Sequence, residues 1–176
     1  GISRDITEEK DAATRRAMSL AVTRVLAEAV TVAEAMPQII RIMCEAMGWA
    51  YGARWALDEE TQRLSRGEYW CAFEPEFDPA DRELWLSANS TGTGRLLRRA
   101  WIEKTATWLA NLHDVATFHR RHSAGKFGWD SAYAFPIRIG DEVFSVMEFF
   151  GPGIRKPNEA LVQTTLAISS QIGQFI

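Results

Sequence analysis

Residues 131–150 read SAYAFPIRIGDEVFSVMEFF, two strands joined by a tight turn, and the rest of the chain is arranged to cover them. Gly140-Asp141 separates two apolar-rich runs. A two-residue link containing glycine is a hairpin signal because glycine tolerates the positive φ such turns need. With a loop of that length Ile139 faces Glu142, Ile137 pairs with Phe144, Phe135 with Val146 and Tyr133 with Glu148. The other face then holds Ala132, Ala134, Pro136 and Arg138 against Phe149, Met147, Ser145 and Val143. One face is bulky, the other mostly small, and neither is cleanly polar, which predicts a sheet covered at least partly on both sides. On this reading Tyr133, Phe135, Ile137 and Phe144 hold helices on one side. Ala132, Ala134, Ser145 and Met147 floor a pocket on the other.

The surrounding composition suits one domain. The 176 residues are 47% hydrophobic and 24% charged, within the usual domain range and ordinary for a globular chain. A net charge of −3 argues against a surface built for nucleic acid or anionic membrane. No apolar run reaches the ~18 residues that cross a bilayer. The start, GISRDITEEKD, lacks a signal peptide's charged-then-apolar pattern, and Gly1 suggests a piece cut from something longer. Cys44 and Cys71 make neither a metal spacing nor a disulfide framework. A cytoplasmic location is the simplest expectation.

Upstream of the hairpin, Thr7 to about Ala29 reads as a helix capped by Thr7, with Glu8 and Glu9 at its positive end. Met18, Val22, Val25 and Ala29 follow at steps of four, three and four, a narrow seam. That seam suits either the chain's own sheet or a second subunit. Thr31-Val32-Ala33-Glu34 forms a capping box for a second helix with Met36, Ile40, Met43 and Met47 on its apolar face, ending at Gly48. Pro37 predicts a bend in it. Trp49–Leu57 alternates as a strand, with Leu64–Phe73 its antiparallel partner. Asp78-Pro79 opens a short helix through Leu86, Ser87–Gly94 is loop-like, and Arg95 to Trp101 is helical again. Thr107–Asn111 is strand-like and Phe118–Ala124 helical. After the hairpin, a last helix from about Glu159 to Ile176 carries Leu161, Thr165, Ile168, Ile172 and Phe175 at alternating four and three, like the first helix. This helix reads as a connector into a further domain.

The order helix, helix, strand, strand, helix, helix, strand, helix, hairpin, helix resembles the GAF domain. Three passages resemble GAF modules of bacterial sensor histidine kinases and diguanylate cyclases: TVAEAMPQIIRIMCEAMGWAYGARW from Thr31, AFPIRIGDEVFSVMEFFG from Ala134, and IRKPNEALVQTTLAISSQIGQFI from Ile154. The resemblance implies an α+β fold: a central antiparallel sheet of about five to six strands, terminal helices on one face, and short helices and loops forming a pocket on the other. It implies a connector helix over residues 1–30 and the GAF domain proper over 31–176. It also implies a regulatory role without catalysis, as in two-component signalling. Where many relatives carry a GxGLPGRVW-like stretch, Gly92 to Trp101 keeps the glycines and the tryptophan but loses the proline step.

Candidate chemistry is sparse. Gly92-x-Gly94 with Arg95, Arg98 and Arg99 offers backbone N–H groups to an anion but lacks the lysine and hydroxyl of a P-loop, so a loop with solvated arginines is the plainer reading. The signature associated with cyclic-nucleotide GAF domains is not readable. His113, His119 and His122 have no carboxylate or cysteine at a metal-ligand spacing, which argues against metal or haem. Bilin attachment in the family commonly uses a Cys-His pair; here Phe118-His119 stands in that place. Some GAF domains reduce free methionine sulfoxide with several cysteines, a chemistry that needs an accessible low-pKa thiol and a resolving partner. Seven tryptophans exceed simple core filling. They serve either as large core residues or as pocket walls. The pocket reading selects Trp70, Phe73, Trp101, Trp108, Phe127 and Trp129, with Ala134, Ser145 and Met147 beneath them, for an unidentified small molecule. The dimer reading selects Met18, Val22, Val25, Leu161, Ile168, Ile172 and Phe175 for a homodimer seam between terminal helices.

Overall fold

The hairpin forms with the expected turn and an unexpected register. In this structure, a computed structural model describing residues 2–89, 94–115 and 120–176, strands β5 (Ser131–Ile139) and β6 (Glu142–Gly151) are joined at Gly140, whose φ is +61°. Ile139 faces Glu142 and Arg138 faces Val143, but Ile137 then faces Ser145. Phe144 is thus an extra residue, a β-bulge that leaves its side chain 41% exposed. A one-residue slip turns every later side chain to the opposite face. Beyond the bulge, Phe135 pairs with Met147 and Tyr133 with Phe149, while Ala134 pairs with Glu148 and Ala132 with Phe150. The pairings expected for Phe144, Val146 and Glu148 are therefore corrected. Phe144 holds no helix, and Met147 and Ser145 lie on the side of Tyr133, Phe135 and Ile137.

The hairpin belongs to a six-stranded antiparallel sheet of order β3-β2-β1-β6-β5-β4. Strands β1 (Tyr51–Asp58) and β2 (Arg63–Cys71) form the second hairpin, and β4 (Thr107–Leu109) edges β5. Ser87–Asn89, expected as loop, is the edge strand β3 pairing with Arg63–Ser65. Three residues suffice there because the neighbouring strand supplies the ladder.

Helices α1 (Ile2–Glu28), α2 (Val32–Met47) and α6 (Glu159–Phe175) cover one face. Thr7 caps nothing: α1 begins five residues earlier and Thr7 Oγ1 donates to the Ser3 carbonyl. Thr31 does cap α2, accepting from Glu34 N at 3.2 Å, and the Glu34 carboxylate reaches Val30 N at 3.0 Å. Gly48 ends α2 at φ +73°. Met36, Ile40, Met43 and Met47 are buried as expected, against Phe135, Met147 and Phe149. Gly173 lets α6 close on the hairpin: a Cβ there would lie 2.4 Å from the Arg138 carbonyl oxygen.

The other face is covered by α3 (Pro79–Leu86), α4 (Gly94–Trp101), a 3₁₀ turn at Leu112–Asp114 and α5 (Arg121–Lys126). Of the helix expected over Phe118–Ala124, residues 118 and 119 lie outside the described residues, as do Gly92 and Thr93 of the glycine loop. No helix among the described residues is long and apolar enough to cross a membrane.

Met18 and Val22 of α1 and Leu161, Ile168 and Ile172 of α6 are buried in the chain's own core, with Val25 half-buried against it. Phe175 is half-buried. Thr23 Oγ1 donates to Gln171 Oε1 at 2.7 Å, tying the two helices together within one chain. For Met18, Val22, Leu161, Ile168 and Ile172 the four-three spacing is therefore an intrachain seam, and a subunit contact made by these five side chains is corrected: a residue already out of water has no surface left to offer a partner, whereas Val25 and Phe175 keep part of theirs.

Candidate functional site

The face away from the terminal helices holds a cluster of aromatic rings around one buried ion pair. Alternation along β1 and β6, the two central strands, sends Tyr51, Ala53, Trp55, Val146, Glu148 and Phe150 to this side. Glu148 is fully buried and Arg120, just ahead of α5, is 4% exposed. Arg120 grips the carboxylate in a bidentate fork, Nη1 to Oε1 and Nη2 to Oε2, both at 2.7 Å. Trp55 Nε1 donates to Glu148 Oε1, also at 2.7 Å. The guanidinium carbon lies 4.7 Å from the Trp85 ring centroid, 5.1 Å from Phe150 and 5.6 Å from Trp55. Among the described residues, three aromatic faces and a carboxylate thus surround one cation. Ser123 Oγ accepts from Trp85 Nε1 at 2.8 Å and donates to the Arg120 carbonyl at 3.2 Å, linking α3 to the backbone that carries the arginine.

The cluster continues toward solvent. Trp129 stands 5.6 Å from Trp85, 5.8 Å from Phe150 and 5.0 Å from both Tyr51 and Phe127. Phe77 stacks on Trp85 at 5.1 Å, and Phe73, 47% exposed, lies 6.1 Å from Trp129. Burial, and then the Glu148 carboxylate, push the Tyr51 phenol above its ordinary pKa, so it stays a neutral group accepting from Arg66 Nη1 at 3.3 Å.

Of the pocket residues expected from sequence, Phe73, Trp101, Phe127, Trp129 and Ala134 gather on this face. Trp70, Trp108, Ser145 and Met147 do not. Trp70 pairs with Gly52 and packs among the terminal helices; Trp108 pairs with Tyr133 and donates Nε1 to the Arg155 carbonyl at 2.6 Å. Ser145 and Met147 follow the bulge to that same side. The polar centre, Arg120 with Glu148, went unselected. A lone carboxylate inside the apolar run SVMEFF was the available signal, since such a group is seldom buried without a partner. Nothing in the sequence chose Arg120 over neighbouring Arg121.

The remaining candidates are peripheral. His113 Nε2 meets Asp130 Oδ1 at 2.9 Å, and that bond, with the Gly153 N–H, holds the Asp130 carboxyl below its usual range. His122 is exposed, and His119 lies outside the described residues. Among the described residues no group of three His, Cys, Asp or Glu is placed to hold a metal ion.

The thiols are poorly suited to nucleophilic chemistry. Cys44 lies on the buried, sheet-facing side of α2, and that burial drives its pKa upward. Cys71 is pushed up to about 11, first by burial and then by the Glu74 carboxylate, to which Sγ donates at 3.7 Å. An acid whose pKa is raised is neutral below it, so near pH 7 Cys71 is a thiol and the thiolate appears only as pH approaches 11. Iodoacetamide should therefore alkylate native Cys71 about tenfold more slowly at pH 7 than an unperturbed cysteine, the scarcity of thiolate being partly offset by its greater nucleophilicity. Mass spectrometry of a timed reaction checks this, and a rate at or above that of free cysteine contradicts it.

A family model described as "GAF domain" matches residues 29–176. Comparison with the curated proteins finds no match. Among solved structures, the fold is similar to the GAF domain of a phosphoenolpyruvate-protein phosphotransferase from Coxiella burnetii, at TM-score 0.75, 11% identity, and coverage of 93% of this chain and 92% of that one. It is similar to the nlh2 GAF domain of A. aeolicus in an inactive state, at TM-score 0.73, 16% identity and coverage of 94% and 96%. It is also similar to free methionine-R-sulfoxide reductase from Neisseria meningitidis in complex with its substrate, at TM-score 0.73, 13% identity and coverage of 93% and 89%. At such identities these likenesses establish the fold.

Proposed function

Because the chain belongs to the GAF domain family, we propose that it is a regulatory sensor, binding a small molecule at the aromatic face and relaying occupancy to its terminal helices. One observation carries the reading. Consecutive residues of β6 alternate between layers: Val146, Glu148 and Phe150 enter the aromatic cluster, while Met147 and Phe149 enter the core beneath the terminal helices. A ligand that shifts β6 thereby shifts the bed on which α2 and α6 rest. That transmits signal only if the ligand binds the two arrangements unequally.

The parent is a bacterial signalling protein of histidine kinase or diguanylate cyclase type, with catalysis in another domain. The raised thiol pKa of Cys71 and the burial of Cys44 favour regulation over reductase chemistry here. The protein acts in the cytoplasm as a homodimer. The dimer contact uses the outward face of α1, where Leu20 is 62% and Ile6 46% exposed.

Native mass spectrometry and an absorption spectrum of purified protein test for a retained molecule. A thermal-shift screen paired with hydrogen exchange then tests the relay. The expected result is a compound that raises Tm and changes exchange in α1 and α6. Stabilisation without any change in those helices defeats the relay, and an empty dimer that no compound stabilises reduces the domain to a scaffold.

A further inference from the structure

Glu148 is the only buried carboxylate among the described residues, and it stands on a central strand beneath three aromatic walls. Those walls are fixed: Trp55 on β1, Phe150 on β6, and Trp85 on α3, pinned by its bond to Ser123. The occupant's backbone is held as well, its carbonyl accepting from Ser123 Oγ and Ala124 N, but its side chain enters from outside the sheet. Arg120 belongs to no sheet strand and precedes α5, a helix of only six residues. A carboxylate faced by aromatic rings is the chemistry that recognises organic cations. Here the bidentate fork to Oε1 and Oε2 fits a planar guanidinium in particular. Trp129 and the half-exposed Phe73 continue the aromatic cluster from this site to the surface.

We propose that Glu148, Trp55, Trp85 and Phe150 form a binding site for a small organic cation, best matched by an alkylguanidinium, and that Arg120 is its intrachain stand-in, displaced when ligand arrives. This rests on the sensor reading and narrows it to one ligand class. Because Arg120 is part of the chain it competes for the site in every molecule, so an external cation binds wild-type protein more weakly than a cage emptied by mutation.

The test uses ethylguanidinium, with its neutral isostere ethylurea and matched sodium chloride as controls. Arg120→Ala should melt ~6–20 °C below wild type, since half of a buried pair is left behind. Millimolar ethylguanidinium should restore Tm saturably where the controls do not. Tryptophan fluorescence should give a Kd about tenfold or more lower for the variant than for wild type. If Arg120→Ala is unfolded, refolding by ethylguanidinium is the expected result, and failure to refold overturns the proposal. Absence of saturable binding by a folded variant overturns it as well, and so does binding by the variant with none by wild type. Should cations fail while a neutral or anionic compound stabilises wild type and alters α1 and α6, this inference falls and the sensor reading stands. If no compound of any kind stabilises the protein, both fall.

Discussion

Glu148→Ala should lower stability by about 3–5 kcal/mol, a drop in Tm of roughly 6–20 °C for a chain of this size. The carboxylate is fully buried and takes three donors, two from Arg120 and one from Trp55. Removing it leaves the guanidinium charge in a dry aromatic site without its counter-ion and the Trp55 N–H without its acceptor. The same reasoning limits what the pair contributes. Desolvation of two ions offsets most of their attraction, so an apolar pair of similar volume can do nearly as well. Glu148→Leu combined with Arg120→Met should therefore lose only the Trp55 hydrogen bond, about 1–3 kcal/mol, far less than the sum of the two single losses. Chemical denaturation of wild type, both single variants and the double variant closes the cycle. A Glu148→Ala shift within the ~2–4 °C that a 1 kcal/mol change produces, or strict additivity in the cycle, would show that the two charges are neither buried nor coupled.

That pair also marks where the sequence ceased to be legible. Element order, the Gly140 turn, the Thr31 cap and the Gly48 stop were readable because each depends on a few adjacent residues. The Phe144 bulge was not. It follows from how the hairpin is seated between β1 and the two layers, and one slipped residue reassigned Ser145, Met147 and Glu148 together. Four of the six expected aromatics lie on the expected face because Phe73, Trp101, Phe127 and Trp129 come from the covering loops and helices, beyond the reach of that slip. Trp70 and Trp108 were lost because their faces are set by cross-strand partners, Gly52 and Tyr133, whose register no local pattern encodes. The ion pair escaped for a related reason: 28 residues separate Arg120 from Glu148, and only the tertiary fold brings them within 2.7 Å.

Ile172→Glu should abolish cooperative folding. The side chain is fully buried in the apolar core shared by α6, α1 and the sheet, among Met18, Val22, Phe135 and Ile137. An unpaired carboxylate there must remain charged at a cost of many kcal/mol or take up a proton and stay polar and without an assigned partner. Either outcome, added to the lost packing, exceeds the 4–5 kcal/mol that marks an exceptional single substitution. Leu20→Glu is the informative contrast. At 62% exposure on the outer face of α1 it should alter stability by no more than ~0.5 kcal/mol, yet halve the native mass if that face joins two copies. Near-UV circular dichroism and native mass spectrometry on both variants separate the possibilities. A folded Ile172→Glu monomer would return the four-three seam to the subunit interface and reject its assignment to the core. A Leu20→Glu protein that keeps its dimeric mass would leave the core assignment intact and remove α1's outer face as the contact.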